Sequence, residues 1–153
     1  MTVKKIKIKI FKLGFPLFLA LRKVFRFRSF GAKAVIVQGQ SILLVRHNYG
    51  PGNWTLPGGG VGKKETAEQA LVRELKEELG LEVLGRVRFL DKINVSGYDR
   101  TIVFVFTVDI DKSERDSIDF DSVEIKEIKW FDLNELPELK PIARQMVECY
   151  LLK

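Results

Sequence analysis

The 153-residue sequence predicts a single α+β domain, a mixed β-sheet with helices packed against it. Two apolar, β-branched runs, AKAVIVQ and SILLVRH, flank Gly39-Gln40 and carry the pattern of a β-hairpin. A capped amphipathic helix follows over residues 67–79. Further strand patterns come after that helix, so strands stand on both sides of it along the chain. The length suits one domain, in which folding buries about 68–70% of the unfolded chain's surface. A composition of 46% hydrophobic and 30% charged residues is that of a soluble globular protein.

Residues 1–30 form a basic, apolar extension ahead of a domain over 31–153. KKIKIKIFK alternates charged and apolar positions, a strand pattern. LGFPLFLAL, residues 13–21, is apolar but far shorter than the roughly 20 residues a membrane-spanning helix needs. It does not read as a secretory signal: Pro16 interrupts it, basic residues follow at once, and no small-x-small cleavage site is present. Two readings stay open. The extension is an added strand or helix packed on the domain or on a second subunit of a homodimer. Alternatively, residues 1–28 lie as a basic amphipathic segment on an anionic membrane surface. The chain is expected in the cytoplasm, membrane-associated under the second reading. Cys149, the single cysteine, excludes an intrachain disulfide and fits a reducing compartment and a small core residue.

Beyond the hairpin, HNYGPGNWTLPGGGVGKK is a loop dense in glycine and proline. Thr66 at the N-cap and Gln69 three residues on make a capping box, and Gly80 suits the left-handed position that ends a helix. Strands are expected near 82–95 and 100–110, then a polar loop, DIDKSERDSIDFDS. EIKEIKWFDL reads as the last strand, with Trp130 and Phe131 in the core. LNELPEL reads as a short turn of helix, and residues 141–152 as a terminal amphipathic helix.

Charge is unevenly placed. Residues 1–64 hold 13 Lys and Arg and no Asp or Glu; the remainder holds 13 basic and 20 acidic residues. The split suggests an anionic partner for the first half and cation binding for the second. Acidic side chains crowd the central helix. With Glu74 at 0° and 100° per residue, Glu77 and Glu78 fall in the same 100° sector, beside the leucines that face the core. Like charges so placed weaken a helix by roughly 0.2–0.5 kcal/mol per pair. Either this is a solvated acidic face eased by an Arg73–Glu77 pair, or a hard divalent cation holds the carboxylates together.

The wider spacing favours the cation. Gly59, five residues, Glu65, seven residues, then Arg73-Glu74-Leu75-x-Glu77-Glu78-x-Gly80-Leu81 resembles the Nudix box at every position. The flanking WTLPGGG and WFDLNELPEL are similar to the same family, so the resemblance runs over roughly residues 31–152. It implies an α/β/α sandwich and Mg²⁺- or Mn²⁺-dependent hydrolysis of a pyrophosphate in a nucleoside diphosphate linked to another moiety. It implies Glu74, Glu77 and Glu78 as metal ligands. One of them, or a carboxylate from a later loop, deprotonates the attacking water. Arg73 holds a box carboxylate in position, Glu65 supports the site from the loop, and Gly58 and Gly59 let the backbone turn tightly beside the metals. Metal ions that neutralise phosphate charge and acidify water suit this chemistry, which needs neither Ser nor Cys. His47 is the only histidine, so a catalytic triad or histidine-rich zinc site is excluded.

Other residues carry two readings each. Arg46, at the end of the second strand, reaches a substrate phosphate or is an ordinary surface arginine. Trp54 stacks on a base or packs the loop onto the core. Glu124 and Glu127, beside the last strand, supply a base or an extra metal ligand, or lie at the surface. Asp116, Asp119 and Asp121 form a solvated loop or border the substrate. The substrate classes left open are a nucleotide, a nucleotide sugar, a dinucleoside polyphosphate and an RNA 5′ end. The alternative to an enzyme is a catalytically silent binding or regulatory module of the same fold, which would be expected to lose box carboxylates that this chain keeps.

Overall fold

A computed structural model describes residues 29–48, 52–95, 101–120 and 124–153. Both readings of residues 1–28 lie outside the described residues, as does Asp121. The elements are β1 (Ser29–Gln38), β2 (Ser41–His47), α1 (Ala67–Leu79), β3 (Arg88–Val95), β4 (Thr101–Asp109), α2 (Lys112–Asp116), β5 (Ile125–Asp132) and α3 (Pro141–Leu151). The strands form one sheet in the order β3-β4-β1-β2-β5. The β1–β4 pair is parallel and the others are antiparallel, so the sheet is mixed as expected.

Period-two alternation sends β1 side chains to both faces. Ala32, Ala34 and Ile36 pack with Leu71, Leu75 and Leu79 of α1 on one face. Val35 and Val37 pack with Ala143, Met146 and Val147 of α3 on the other. The result is a helix–sheet–helix sandwich with a core on each side of the sheet. Trp130 and Phe131 are half-buried and pack on opposite cores. Among the described residues, no helix is long and apolar enough to cross a membrane.

The β1–β2 hairpin turns at Gly39, with φ +59°. It stays paired at Val37–Ile42 and Gln38–Ser41, and the glycine-rich segment bonds to both strands beyond that. Val45 and Thr55 exchange both backbone hydrogen bonds, at 2.9 and 3.0 Å. Farther along, the Ala32 and Ala34 amides donate to the carbonyls of Gly59 and Pro57, at 2.9 and 3.1 Å, and Val61 donates to Phe30 at 2.9 Å. The segment is therefore a wedge inserted between the two strands, which satisfies backbone groups the splayed hairpin would leave bare.

Three local expectations change. β3 begins at Arg88 rather than near 82, because the chain turns at residues 84–86 with Gly85 at φ +77°. The polar loop contains the short helix α2, started by a capping box in which Asp111 and Glu114 each bond the other's backbone N–H. Residues 133–139 form no helix. Asp132 Oδ1 accepts from the Asn134 backbone at 2.8 Å, an Asx turn that replaces the first helical bond, and Leu139 bridges to Trp54.

The wedge depends on Gly58. Its φ is +112°, and a Cβ there would lie 2.3 Å from the Ala32 carbonyl oxygen. Gly58→Ala is expected to lose at least about 2 kcal/mol of unfolding free energy in a urea titration. Gly60→Ala, where a Cβ meets open space, stays near wild type.

Candidate active site

The helix that bears the carboxylates is fixed at both ends. Thr66 Oγ1 accepts from the Gln69 amide at 3.2 Å, and Gln69 Oε1 accepts from the Thr66 amide at 2.9 Å. Gly80 closes α1 in the left-handed region at φ +67°. These bounds are the ones the sequence predicts, and they set the heights of the three carboxylates against the wedge.

The carboxylates differ steeply in exposure. Glu78 is buried, with 4% of its surface accessible. The side chain of Glu74 is 16% exposed and that of Glu77 is 61% exposed. Glu78 Oε2 accepts the Gly58 amide at 2.7 Å. Burial raises its pKa to about 7, with the charges of Glu74 and Glu124 adding, and Lys33 and the Gly58 N–H opposing. Glu74 lies against Gly59, where a Cβ would stand 2.5 Å from its carboxyl carbon. Only a glycine admits the carboxylate this close to the wedge.

Arg73 ties the group together. It forms a fork on Glu65, Nη2 to Oε1 at 2.8 Å and Nε to Oε2 at 3.2 Å. Its Nη1 donates to Glu74 at 2.7 Å and reaches Glu77 at 3.4 Å, and its Nη2 donates to the Gly60 carbonyl at 3.1 Å. Glu65 also accepts the Gly62 amide at 2.7 Å. The Arg73 bond, then the Gly62 amide, hold the Glu65 carboxyl below its usual range; Glu65 in turn raises the Arg73 pKa. The i,i+4 pairing with Glu77 expected for a plain acidic face is thus the longest of Arg73's contacts with carboxylates.

Of the two late glutamates, Glu124 belongs with this group and Glu127 does not. Burial raises the Glu124 pKa, helped by the nearby charges of Glu74 and Glu77. Glu127 pairs with Arg46 at 3.2 Å. Arg46 also lies over the Trp54 ring, 4.3 Å from its centroid. Trp54 is buried and packs edge-to-face with Phe131, ring centroids 4.9 Å apart. These two residues line a cavity of about 200 Å³ with Gly52, Asn53, Pro137 and Glu138. Trp54 therefore packs the loop, with Arg46 on its face. Asp119 lies at the end of α1, its amide donating to the Leu79 carbonyl at 3.2 Å, and Asp116 pairs with Lys112 at 2.7 Å.

The sequence reading missed Lys33. This lysine of β1 donates to the Gly58 carbonyl oxygen. Burial lowers its pKa, while Glu78, Glu74 and Glu124 pull the other way. A lysine inside the apolar run AKAVIV was the available signal. Lys140, whose pKa burial also lowers, and buried His47 are electrostatic neighbours of Lys33.

As the side chains lie, no three His, Cys, Asp or Glu among the described residues converge closely enough to grip a metal ion. The donor set nevertheless fits a hard divalent cation. It is all oxygen, it includes a buried carboxylate whose ionised form burial opposes, and Glu77 stands exposed beside it.

The NUDIX domain family model matches residues 28–150. The chain belongs to the Nudix hydrolase family. It is 34% identical over 142 residues to the ADP-ribose pyrophosphatase of Methanocaldococcus jannaschii, covering 85% of this chain and 80% of that protein. It is 31% identical over 117 residues to the NAD-capped RNA hydrolase NudC of Pectobacterium atrosepticum, covering 74% of this chain but only 43% of NudC. Among solved structures, a MutT NUDIX hydrolase from Burkholderia pseudomallei superposes with a TM-score of 0.71 at 28% identity, over 80% of this chain and 97% of that one. The expected Nudix sandwich is thus the observed fold, and the chain is a member of an enzyme family.

His47 gives this Nudix domain an acid limit. Its pKa is lowered to about 3, first by burial and then by Lys33 and Lys140. The unfolded chain takes up this proton near pH 6.5, the folded one only near 3. The contribution is complete above about pH 6.5 and declines as pH falls toward 3, by up to about 1.4 kcal/mol per pH unit. Glu78, its pKa raised to about 7, titrates with the opposite sign over the same range. The histidine's share is therefore read from the difference between wild type and His47→Gln in urea titrations between pH 5 and 7, the variant losing less stability than wild type as pH falls.

Proposed function

We propose that the protein hydrolyses the pyrophosphate bond of a nucleoside diphosphate linked to a sugar, with ADP-ribose as the leading substrate. One observation carries the reading: Arg73, Gly58 and Gly59 gather Glu65, Glu74 and Glu78 against the wedge, with Glu77 exposed beside them and Glu124 near enough to feel the charges of Glu74 and Glu77. The archaeal ADP-ribose pyrophosphatase, similar over most of both chains, supports the substrate class.

Glu74, Glu77 and Glu78 would hold Mg²⁺ or Mn²⁺, and the ion would supply charge neutralisation for the pyrophosphate and activation of water. The chain's own residues do the rest. Arg73 fixes Glu65 and Glu74 by charge-assisted bonds, so the ligands are oriented before substrate arrives. Gly58 and Gly59 bring backbone and carboxylate together where a side chain would separate them. Glu124, near enough to feel the charges of Glu74 and Glu77 and with its pKa raised first by burial, takes the proton of the attacking water. Arg46, at the mouth of the cavity beside Trp54, meets a substrate phosphate when it leaves Glu127. Water adds across the P–O–P bridge, and ADP-ribose yields AMP and ribose 5-phosphate.

A second substrate is favoured by a separate observation. The first 64 residues carry 13 basic and no acidic side chains, which suits an RNA chain, and NudC proteins are among the relatives.

The test is a substrate panel with Mg²⁺ or Mn²⁺: ADP-ribose, other nucleoside diphosphate sugars, dinucleoside polyphosphates, 5′-triphosphate RNA and NAD-capped RNA. AMP release from ADP-ribose is expected to lead. Glu77→Gln, at an exposed position, should lower turnover by orders of magnitude without changing the melting temperature. Arg73→Ala should cost about 10–100-fold, as for groups that orient metal ligands. Full activity in Glu77→Gln, or equal activity without divalent ions, defeats the reading.

A further inference from the structure

Next to the crowded anions stands a cation that the Nudix box does not contain. Lys33 is the one charged residue of the run Ala32–Val37 in β1. Its neighbours Ala32 and Ala34 donate their amides to the carbonyls of Gly59 and Pro57. Lys33 is therefore set opposite Gly58, the residue between those two, and its ammonium donates to the Gly58 carbonyl oxygen. The N–H of the same glycine donates to Glu78 Oε2 at 2.7 Å. Gly58 is thus held by a cation at its carbonyl and an anion at its amide. Glu78 is the carboxylate felt most strongly at Lys33, followed by Glu74; Glu124 is felt less.

Unlike a bound metal ion, this amine is tethered to β1 and cannot diffuse away. It lies among the carboxylates assigned above as metal ligands, so this inference rests on that assignment. In its ammonium form Lys33 eases the mutual repulsion of the carboxylates and opposes entry of a divalent ion. We propose that Lys33 is a built-in counter-cation of the carboxylate site, holding Glu78 on Gly58 while no divalent ion is bound and weakening the grip on that ion when it comes. It is a positioning residue: it acts through Glu78 and Gly58. Without it, Glu78 is a buried carboxylate with less compensation, and the empty site needs a divalent ion more.

This makes a prediction whose sign is opposite to that of ordinary damage. Mn²⁺ binding to the full chain is followed by electron paramagnetic resonance of the free ion, without substrate, for the wild type, Lys33→Met, Lys33→Arg and Glu77→Gln. Lys33→Met is expected to bind Mn²⁺ roughly tenfold more tightly than wild type, and Lys33→Arg to stay near it. Thermal melts should show Lys33→Met less stable than wild type without metal and regaining the difference with Mn²⁺. Should Lys33→Met fail to fold, Lys33→Gln takes its place with the same signs expected. Unchanged or weaker Mn²⁺ binding by the folded variant overturns the proposal while leaving Glu77 as a ligand, provided Glu77→Gln binds less than wild type. Equal binding by wild type and Glu77→Gln overturns the ligand assignment itself, and the role of Lys33 falls with it.

Discussion

The hydrogen bond from the Gly58 amide to the Glu78 carboxylate joins the two halves of the molecule. On one side is the wedge, stitched between β1 and β2 by backbone bonds to Ala32, Ala34 and Val45. On the other is α1, seated on the sheet by Leu71, Leu75 and Leu79. Burial favours the protonated form of Glu78, and the Gly58 N–H and Lys33 oppose it. With this hydrogen bond, the end of the helix and the turn of the wedge are held in one register. Everything the site does follows from that register, because Glu74, four residues back, then meets Gly59, and Arg73 meets Glu65.

The fold tolerates repulsion among the glutamates by distributing their environments. Glu78 is inside and bonded to backbone, Glu74 is half inside and paired with Arg73, and Glu77 stands in solvent. Arg73 supplies positive charge from the helix and Lys33 supplies it from the sheet. Two cationic side chains thus offset part of the repulsion among the glutamates. Glu77 is the most exposed of the three, and its contact with Arg73 is the longest, at 3.4 Å.

Much of this was legible in the sequence because its signals are local. The capping box at Thr66 and Gln69 and the terminal Gly80 fix α1 residue by residue, and the box spacing fixes which side chains share its edge. The same kind of signal at Asp111 and Glu114 starts α2, but it sits in so polar a stretch that hydrophobic periodicity hides it. LNELPEL has helical composition; the Asx turn at Asp132 and the bridge from Leu139 to Trp54 decide otherwise, and the second of these is a tertiary contact. Lys33 was harder still, because its nearness to the box depends on the wedge entering between two strands, a long-range event that no window of sequence displays. Glu124 was visible as a candidate beside Glu127, but strand pairing rather than any local signal distinguishes the two. Trp54 and Arg46 were visible as candidates, yet their mutual stacking and the pairing of Arg46 with Glu127 come from strand register.

The most direct measurement is crystallographic: crystals grown or soaked with Mn²⁺, with anomalous data collected at the manganese edge. The account predicts anomalous density within about 2.5 Å of carboxylate oxygens of Glu74, Glu77 and Glu78, with Glu77 turned inward and Arg73 still on Glu65. Side chains still directed apart, with Glu74 on Arg73 and no anomalous peak among them, would contradict it.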